Sequence, residues 1–145
     1  MRINQYLTAA RRALRADSGN ASIEFAIVLP AFLFLLYGVI ELAHYGYVRV
    51  ALSDAARQGV RYAMVRGGAS GAAATADDVT LYVRAGIALL DPTQVTVTPS
   101  FTPNNQPGSL VTVQVSYDYT PFLTGGFAIL SAATLTDSAQ MTIAQ

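Results

Sequence analysis

The sequence predicts an α+β fold in which a long N-terminal transmembrane helix continues as the spine of a small domain with a second short helix and an antiparallel sheet. No charged residue interrupts the run from Phe25 to Ile40. A helical apolar pattern persists beyond that run, and the apolar period then changes from about 3.6 residues to about 2, which is typical of strands. Outside the span and the basic leader that precedes it, residues 1–19, about 100 residues remain, enough for one small domain.

The apolar run has the length of a membrane span. With its apolar flanks it reaches roughly the 20 residues that a helix needs to cross the hydrocarbon of a bilayer. A buried helix of a soluble protein normally keeps a polar stripe, which this run lacks. A cleaved secretory signal, which the arginines before residue 16 would favour, normally has an apolar region of only about 7 to 15 residues. We therefore predict a span that is retained.

Glu24 and Pro30 are unusual in a plain membrane anchor. An ionisable group costs roughly 2.5 to 3.5 kcal/mol at mid-bilayer and less near an end, so Glu24 calls for a partner or a role. The simpler alternative is a first-turn carboxylate favoured by the helix dipole. Pro30 lacks an N–H, so it is expected to bend the helix, either as a harmless kink or as a hinge in subunit packing.

The helical pattern continues past the span as far as about Arg66. Its apolar face carries Tyr45, Val48, Leu52, Ala55, Gly59 and Tyr62. A row of small side chains permits close approach of another helix or of the sheet and consists of Ala51, Ala55, Gly59 and Ala63. His44 is interpreted as an interfacial side chain, because no second metal-binding residue lies at helical spacing beyond Glu41.

The rest of the chain predicts a helix followed by strands. Residues 67–75 are glycine- and alanine-rich and indicate a flexible linker. Thr75 and Asp78 form an acidic variant of the capping box for a helix over 76–90. Alternating apolar residues predict strands at 95–98, 111–120 and 133–143, separated by a proline-rich loop over 99–109. One apolar and one polar face predict an antiparallel sheet of about three strands, covered on one side by both helices.

Two features of this region depart from simple alternation. Asp137 falls on the apolar face of the last strand, and we expect a local bulge there in preference to an ion pair with Arg84. The segment after the second strand carries Phe122, Leu123 and Phe127, which are predicted to be core rather than an exposed contact patch.

Composition argues against several functional classes. The formal net charge is zero and the nine basic residues are all arginine, without a basic face large enough to indicate nucleic-acid binding. The chain has no cysteine, which excludes disulfides and thiolate chemistry. No catalytic set, metal site or cofactor fingerprint emerges, because the lone histidine lies near the membrane and the glycines at 67–71 match no phosphate-binding loop. We expect a protein that is not an enzyme.

The N-terminal half resembles a known family. A basic leader, then Gly19, four residues, and Glu24-Phe25 opening a long apolar helix are similar to the processing site of type IV prepilins. The stretch 23–30 with Gly38, Glu41, Leu52 and the stretch 55–63 resembles the TadE-like pseudopilins of the tight-adherence (Flp pilus) system, over about residues 19–63. Asn20 stands where many type IV pilins have phenylalanine.

The resemblance implies a pilin-like fold and a processing event. A prepilin peptidase would cut between Gly19 and Asn20, and Glu24 would then lie one turn from the new amine of Asn20, its own or a neighbouring subunit's. Implied partners are other pilins or pseudopilins and an inner-membrane assembly platform. The implied location is the inner membrane, with the N-terminus in the cytoplasm and the C-terminal domain outside.

These predictions divide the chain into four parts and leave two alternatives to the main hypothesis. The parts are a cleaved leader at 1–19, a transmembrane helix with its outer extension at 20–66, the linker at 67–75 and a helix-and-sheet domain at 76–145. The main hypothesis is a pseudopilin or minor pilin assembled through its N-terminal helix. The first alternative is an uncleaved, single-pass periplasmic module that binds or scaffolds a partner. The second alternative, which ranks behind it, is a signal-anchored enzyme with an unrecognised site.

Overall fold

The computed structural model describes the backbone of residues 3–87, 90–122 and 130–144, with side chains in the first helix from Asn20 onward. It contains helices α1 (Ile3–Met64) and α2 (Ala76–Gly86) and strands β1 (Val95–Thr102), β2 (Leu110–Tyr119) and β3 (Ala133–Thr142). This confirms the predicted α+β class. The chain divides into two compact units, Met1–Ile40 and Glu41–Gln145. The second unit therefore includes the last part of α1.

The first unit is the helical run that contains the apolar residues. In the described chain, one helical stretch, Asn20–Met64, is long and apolar enough to cross a membrane, and its most apolar window has no buried residue. Large side chains around its circumference are exposed, among them Phe25, Ile27, Leu35 and Val39. Apolar exposure on this scale is typical of a surface that lipid or other helices cover.

In the second unit, α1 buries one face in a shared core. The face expected from the helical spacing is confirmed, with Val48, Leu52, Ala56 and Val60 fully buried. They pack with Val79 and Val83 of α2 and with the central strand residues Val111, Val113 and Val115. Arg49, Arg57 and Arg61 lie on the exposed side. The helices thus cover one side of the sheet, as predicted.

The start of α2 follows its sequence signal. Thr75 is the N-cap and its hydroxyl accepts a hydrogen bond from the backbone N–H of Asp78 at 3.2 Å. The Asp78 carboxylate in turn accepts one from the backbone N–H of Thr75 at 2.9 Å. These reciprocal bonds satisfy donors that a helix start leaves without partners, so the capping box is confirmed. The helix ends at Gly86, earlier than the predicted residue 90.

The sheet is an antiparallel meander in the order β1-β2-β3. Alternation in β2 is confirmed, since Val111, Val113 and Val115 are buried while Gln114 and Asp118 are exposed. The strands' other face carries threonines, serines and glutamines that stay at the surface. β1 extends to Thr102, beyond the expected end at residue 98, because a proline such as Pro99 is tolerated on an edge strand.

Two predictions about individual side chains were wrong. The pairing of β2 with β3 is continuous and sets Asp137 opposite Val115, so there is no bulge. Because β3 is an edge strand, the Asp137 carboxylate is only half-buried and avoids the full cost of burial. It also accepts a hydrogen bond from the backbone N–H of Ser138 at 2.7 Å. Phe122 is 59% exposed and is not core. Leu123 and Phe127 lie outside the described residues.

The segment 67–75 is attached to the domain. The backbone N–H of Gly68 donates to the carbonyl of Asn105, and the side-chain amide of Asn105 donates to the carbonyl of Ala74 at 3.0 Å. Ala74 is itself buried. Asn105, in the loop between β1 and β2, thus holds both ends of the segment. The glycine- and alanine-rich composition of 67–75 did not indicate this attachment.

Candidate processing site and the Glu41 anchor

The predicted scissile bond between Gly19 and Asn20 lies within α1, in the first unit. The side-chain amide of Asn20 donates a hydrogen bond to Oε1 of Glu24 at 3.2 Å, at the surface of the helix. Residues four apart lie on the same helical face, so this contact follows from their spacing. In the uncut chain, therefore, the Glu24 carboxylate already faces the residue that would become N-terminal.

The other predicted residues of this unit lie along the exposed helix. Phe25 is 63% exposed. Pro30 is also exposed, and the helix continues through it. The bend expected at Pro30 stays a prediction.

The row of small residues lies in the second unit and faces the chain's own domain. Ala55, Gly59 and Ala63 are buried and Ala51 is half-buried. At Gly59 a Cβ would come within 2.6 Å of Val83 Cγ2 and 3.1 Å of Val113 Cγ1. The absence of a side chain at Gly59 therefore lets α1 approach both α2 and the middle of β2.

The structure also reveals a buried carboxylate, Glu41, in the second unit. Only 2% of the Glu41 surface is exposed. Its Oε1 accepts a hydrogen bond from the Tyr119 hydroxyl, at the end of β2. Its Oε2 accepts one from the backbone N–H of Phe122 at 3.1 Å. Both oxygens are thus satisfied, which offsets the cost of taking a charge out of water. We call this group the Glu41 anchor.

Aromatic rings surround the Glu41 anchor. The half-buried His44 ring lies 4.8 Å from the Phe122 ring and 5.6 Å from the Tyr119 ring, between centroids. Its Nδ1 is buried and has no hydrogen-bond partner among the described residues. Burial, and then the hydrogen bond to Glu41, raises the pKa of the Tyr119 hydroxyl, so this group stays protonated and can donate.

Sequence reasoning missed the role of Glu41, although a signal was present. Glu41, Tyr45, Val48 and Leu52 recur at the spacing of a single helical face. Because the last two are core residues, their spacing places the Glu41 carboxylate on the buried face of α1. Its partners lie about eighty residues further along the chain, and no local pattern identifies them.

A comparison with known protein families finds a match that lies within α1. Residues 19–61 match the family model described as TadE-like protein. This segment is TadE-like. The match confirms the resemblance noted in the sequence and indicates a protein associated with the Tad pilus. No curated protein and no solved structure shows a significant match to the chain.

The TadE-like segment spans both units of the structure. It begins at Gly19, the residue before the predicted cut, and includes Glu24, the Glu41 anchor residue and Gly59. In the first unit, the TadE-like segment forms the exposed apolar helix. In the second unit, it forms the buried face of α1. The sheet and α2 lie outside the matched range.

Proposed function

We propose that the chain is a pseudopilin or minor pilin of a Tad (Flp-type) pilus system. It is inserted in the bacterial inner membrane with its N-terminus in the cytoplasm and its C-terminal domain outside. A prepilin peptidase cuts after Gly19, and the mature chain assembles through α1 with other pilins at an inner-membrane platform. Its role is structural rather than catalytic.

The observation that carries this proposal is the coincidence of the match with the predicted cut. The TadE-like segment starts at Gly19, and Glu24 lies one turn beyond Asn20, with its carboxylate hydrogen-bonded to the Asn20 side chain. Cleavage would give Asn20 a positively charged amine. Opposite charges attract far more strongly in a medium of low dielectric than in water, so the amine would provide the partner that a carboxylate in lipid requires.

The exposed apolar helix supports assembly through α1. Its side chains find no cover within their own unit. Lipid covers them before assembly, and the helices of neighbouring subunits can replace the lipid through close packing. The second unit, Glu41–Gln145, has its own core and is then displayed away from the membrane, so we call it the outer unit.

Intact mass and N-terminal sequencing of the full chain, extracted from its native membranes, test this proposal. We expect a polypeptide that begins at Asn20 when the peptidase is active and at Met1 when the peptidase gene is deleted. Gly19→Ala should slow or abolish the cut, whereas Gly46→Ala, where a Cβ meets no atom within 4 Å, should leave it unchanged. A chain that still begins at Met1 beside a working peptidase would refute processing and favour the uncleaved anchored module.

A further inference from the structure

A shallow groove lies between α1 and α2 in the outer unit. Its cavity volume is about 280 Å³. Ala51 and Ala55 of α1 and Val83 and Ile87 at the end of α2 contribute apolar lining. Tyr47 and Val50 also line it and are 43% and 62% exposed. Side chains this apolar and this exposed gain stability when another surface covers them.

The same part of α1 carries three unpaired charges. Asp54 lines the groove. Arg57 and Arg61 lie further along the helix and are not part of the groove lining. Their spacing of three and seven residues keeps them on one exposed side of α1. Across the described part of the chain, none of the three makes a hydrogen bond or an ion pair. The exposed side of α1 therefore presents a mostly apolar groove that carries one carboxylate, Asp54, beside a basic rim formed by Arg57 and Arg61.

We propose that a second copy of this chain occupies the groove. The basic rim of one copy contacts Asp54 of the next, and the contact covers Tyr47 and Val50. The complementary charges on one surface favour a copy of the same chain over a partner of a single charge sign. This inference goes beyond the proposed function by naming the surface of the outer unit that meets a neighbour, and it rests on that function for the membrane setting.

The membrane determines how the two copies are related. Copies that cross one membrane with the same topology have parallel α1 helices, which excludes a two-fold antiparallel pair. In a parallel pair, Asp54 meets the rim of its neighbour when the helices are offset by three to seven residues, or about 4 to 11 Å along the axis. Such a contact joins two different patches, so it is heterologous and differs from a pairing of Asp54 with Asp54.

Cysteine crosslinking of the full chain in its native membrane tests the contact, because the natural sequence contains no cysteine. Two copies with different tags are co-expressed, one with Asp54→Cys and one with Arg61→Cys. We expect a mixed dimer whose yield exceeds that of Asp54→Cys alone. The yield should also exceed that of a control pair, in which Asp54→Cys is combined with Gln114→Cys on the polar face of the sheet. Yields no higher than the Gln114→Cys pair overturn the proposal.

A charge swap checks the electrostatic part of the contact. A copy with Asp54→Arg and a copy with Arg57→Asp and Arg61→Asp should each self-associate less than the natural chain, by about twofold to fivefold in co-purification. Mixed together, they should recover association, because opposite charges again face each other. Failure to recover, a dominant crosslink between two residues 54, or a crosslink at 54 to a different protein each overturns the proposal.

The same samples separate this inference from the proposed function. Intact mass of the crosslinked material shows whether the chain begins at Asn20. Crosslinks between uncut chains would refute processing while supporting the contact. Cut chains without the 54–61 crosslink would support processing and refute the contact.

Discussion

The buried carboxylate of Glu41 accepts a hydrogen bond from the hydroxyl of Tyr119, 78 residues further along the chain. The bond joins the start of the outer unit to the end of its central strand. Together with the Phe122 backbone N–H at 3.1 Å, it satisfies both carboxylate oxygens. Removing either donor leaves part of a buried charge without a partner, which costs more than the loss of an ordinary hydrogen bond.

Tyr119→Phe is therefore expected to lower the free energy of unfolding of the outer unit by about 1.5 to 3 kcal/mol, the range for hydrogen bonds to charged groups. Chemical denaturation of the full chain in detergent micelles, followed by near-ultraviolet circular dichroism, measures this. Tyr117→Phe is the matched control, because Tyr117 is a similarly buried tyrosine of β2 without a hydroxyl hydrogen bond in the described structure. Equal losses in the two variants would contradict the Glu41 anchor.

Gly59→Ala should destabilise the outer unit by about 1 to 3 kcal/mol, the usual cost of overpacking a core. The added methyl would come within 2.6 Å of Val83 Cγ2, so either the Val83 side chain or one of the two helices must move. The thermal unfolding midpoint of the full chain in detergent reports this change.

Two further variants control the Gly59 experiment. Gly46→Ala lies on the same helix with nothing within 4 Å of the new Cβ, and it should leave stability unchanged or raise it by up to about 1 kcal/mol. Adding Val83→Ala to Gly59→Ala frees space for the methyl, so it should cost less than the sum of the single changes. Strict additivity would show that the two side chains do not meet.

Asp78→Asn should make the stability of the chain less dependent on acid pH. Hydrogen bonds from the backbone N–H and then the hydroxyl of Thr75 hold the pKa of the Asp78 carboxyl below its usual 3.8. The folded state thus binds this proton more weakly than the unfolded state, and the stabilisation is present above pH 3.8 and lost as pH falls through the lower folded-state pKa.

The measurement for Asp78 is the difference in unfolding midpoint between the natural chain and the variant, from neutral pH down to pH 2. We expect the natural chain to be more stable at neutral pH and the difference to vanish in acid. Asp77→Asn is the control, because Asp77 lies in the same first turn but takes no part in the capping box. A difference that persists unchanged at pH 2 would disprove the linkage.

Glu24→Ala is expected to permit the cut after Gly19 but to impair assembly, because the new amine of Asn20 loses its carboxylate partner. Intact mass reports the cut, and the amount of the chain in sheared surface filaments reports assembly. Asn20→Ala removes only the side-chain hydrogen bond to Glu24 and leaves the amine, so assembly should persist. Normal filament incorporation of the Glu24→Ala chain would remove the role assigned to this carboxylate.

Features with a local physical cause could be predicted from the sequence. The capping box of Thr75 and Asp78 depends on residues three apart, and the alternation in β2 reflects one strand with one covered face. The buried face of α1 likewise follows from helical spacing. In each case the neighbours in sequence are also the neighbours in space, so the pattern alone is sufficient.

Features that depend on distant neighbours were missed or wrongly predicted. Pro99 suggested a loop, but its position on an edge strand makes its missing donor harmless. Asp137 suggested a bulge, but the edge of the sheet leaves its carboxylate only half-buried. The Glu41 anchor joins segments far apart in sequence, so only the folded chain reveals that a helix carboxylate and a strand tyrosine meet.

The exposed polar face of the three-stranded sheet can tolerate amino-acid substitutions. Side chains such as Thr98, Gln114 and Thr136 are exposed and do not belong to the shared core. Replacing them alters the chemistry that the outer unit offers to its surroundings at little cost in folding stability. New surface properties can therefore arise there by single substitutions, while the packing that holds the subunit together stays intact.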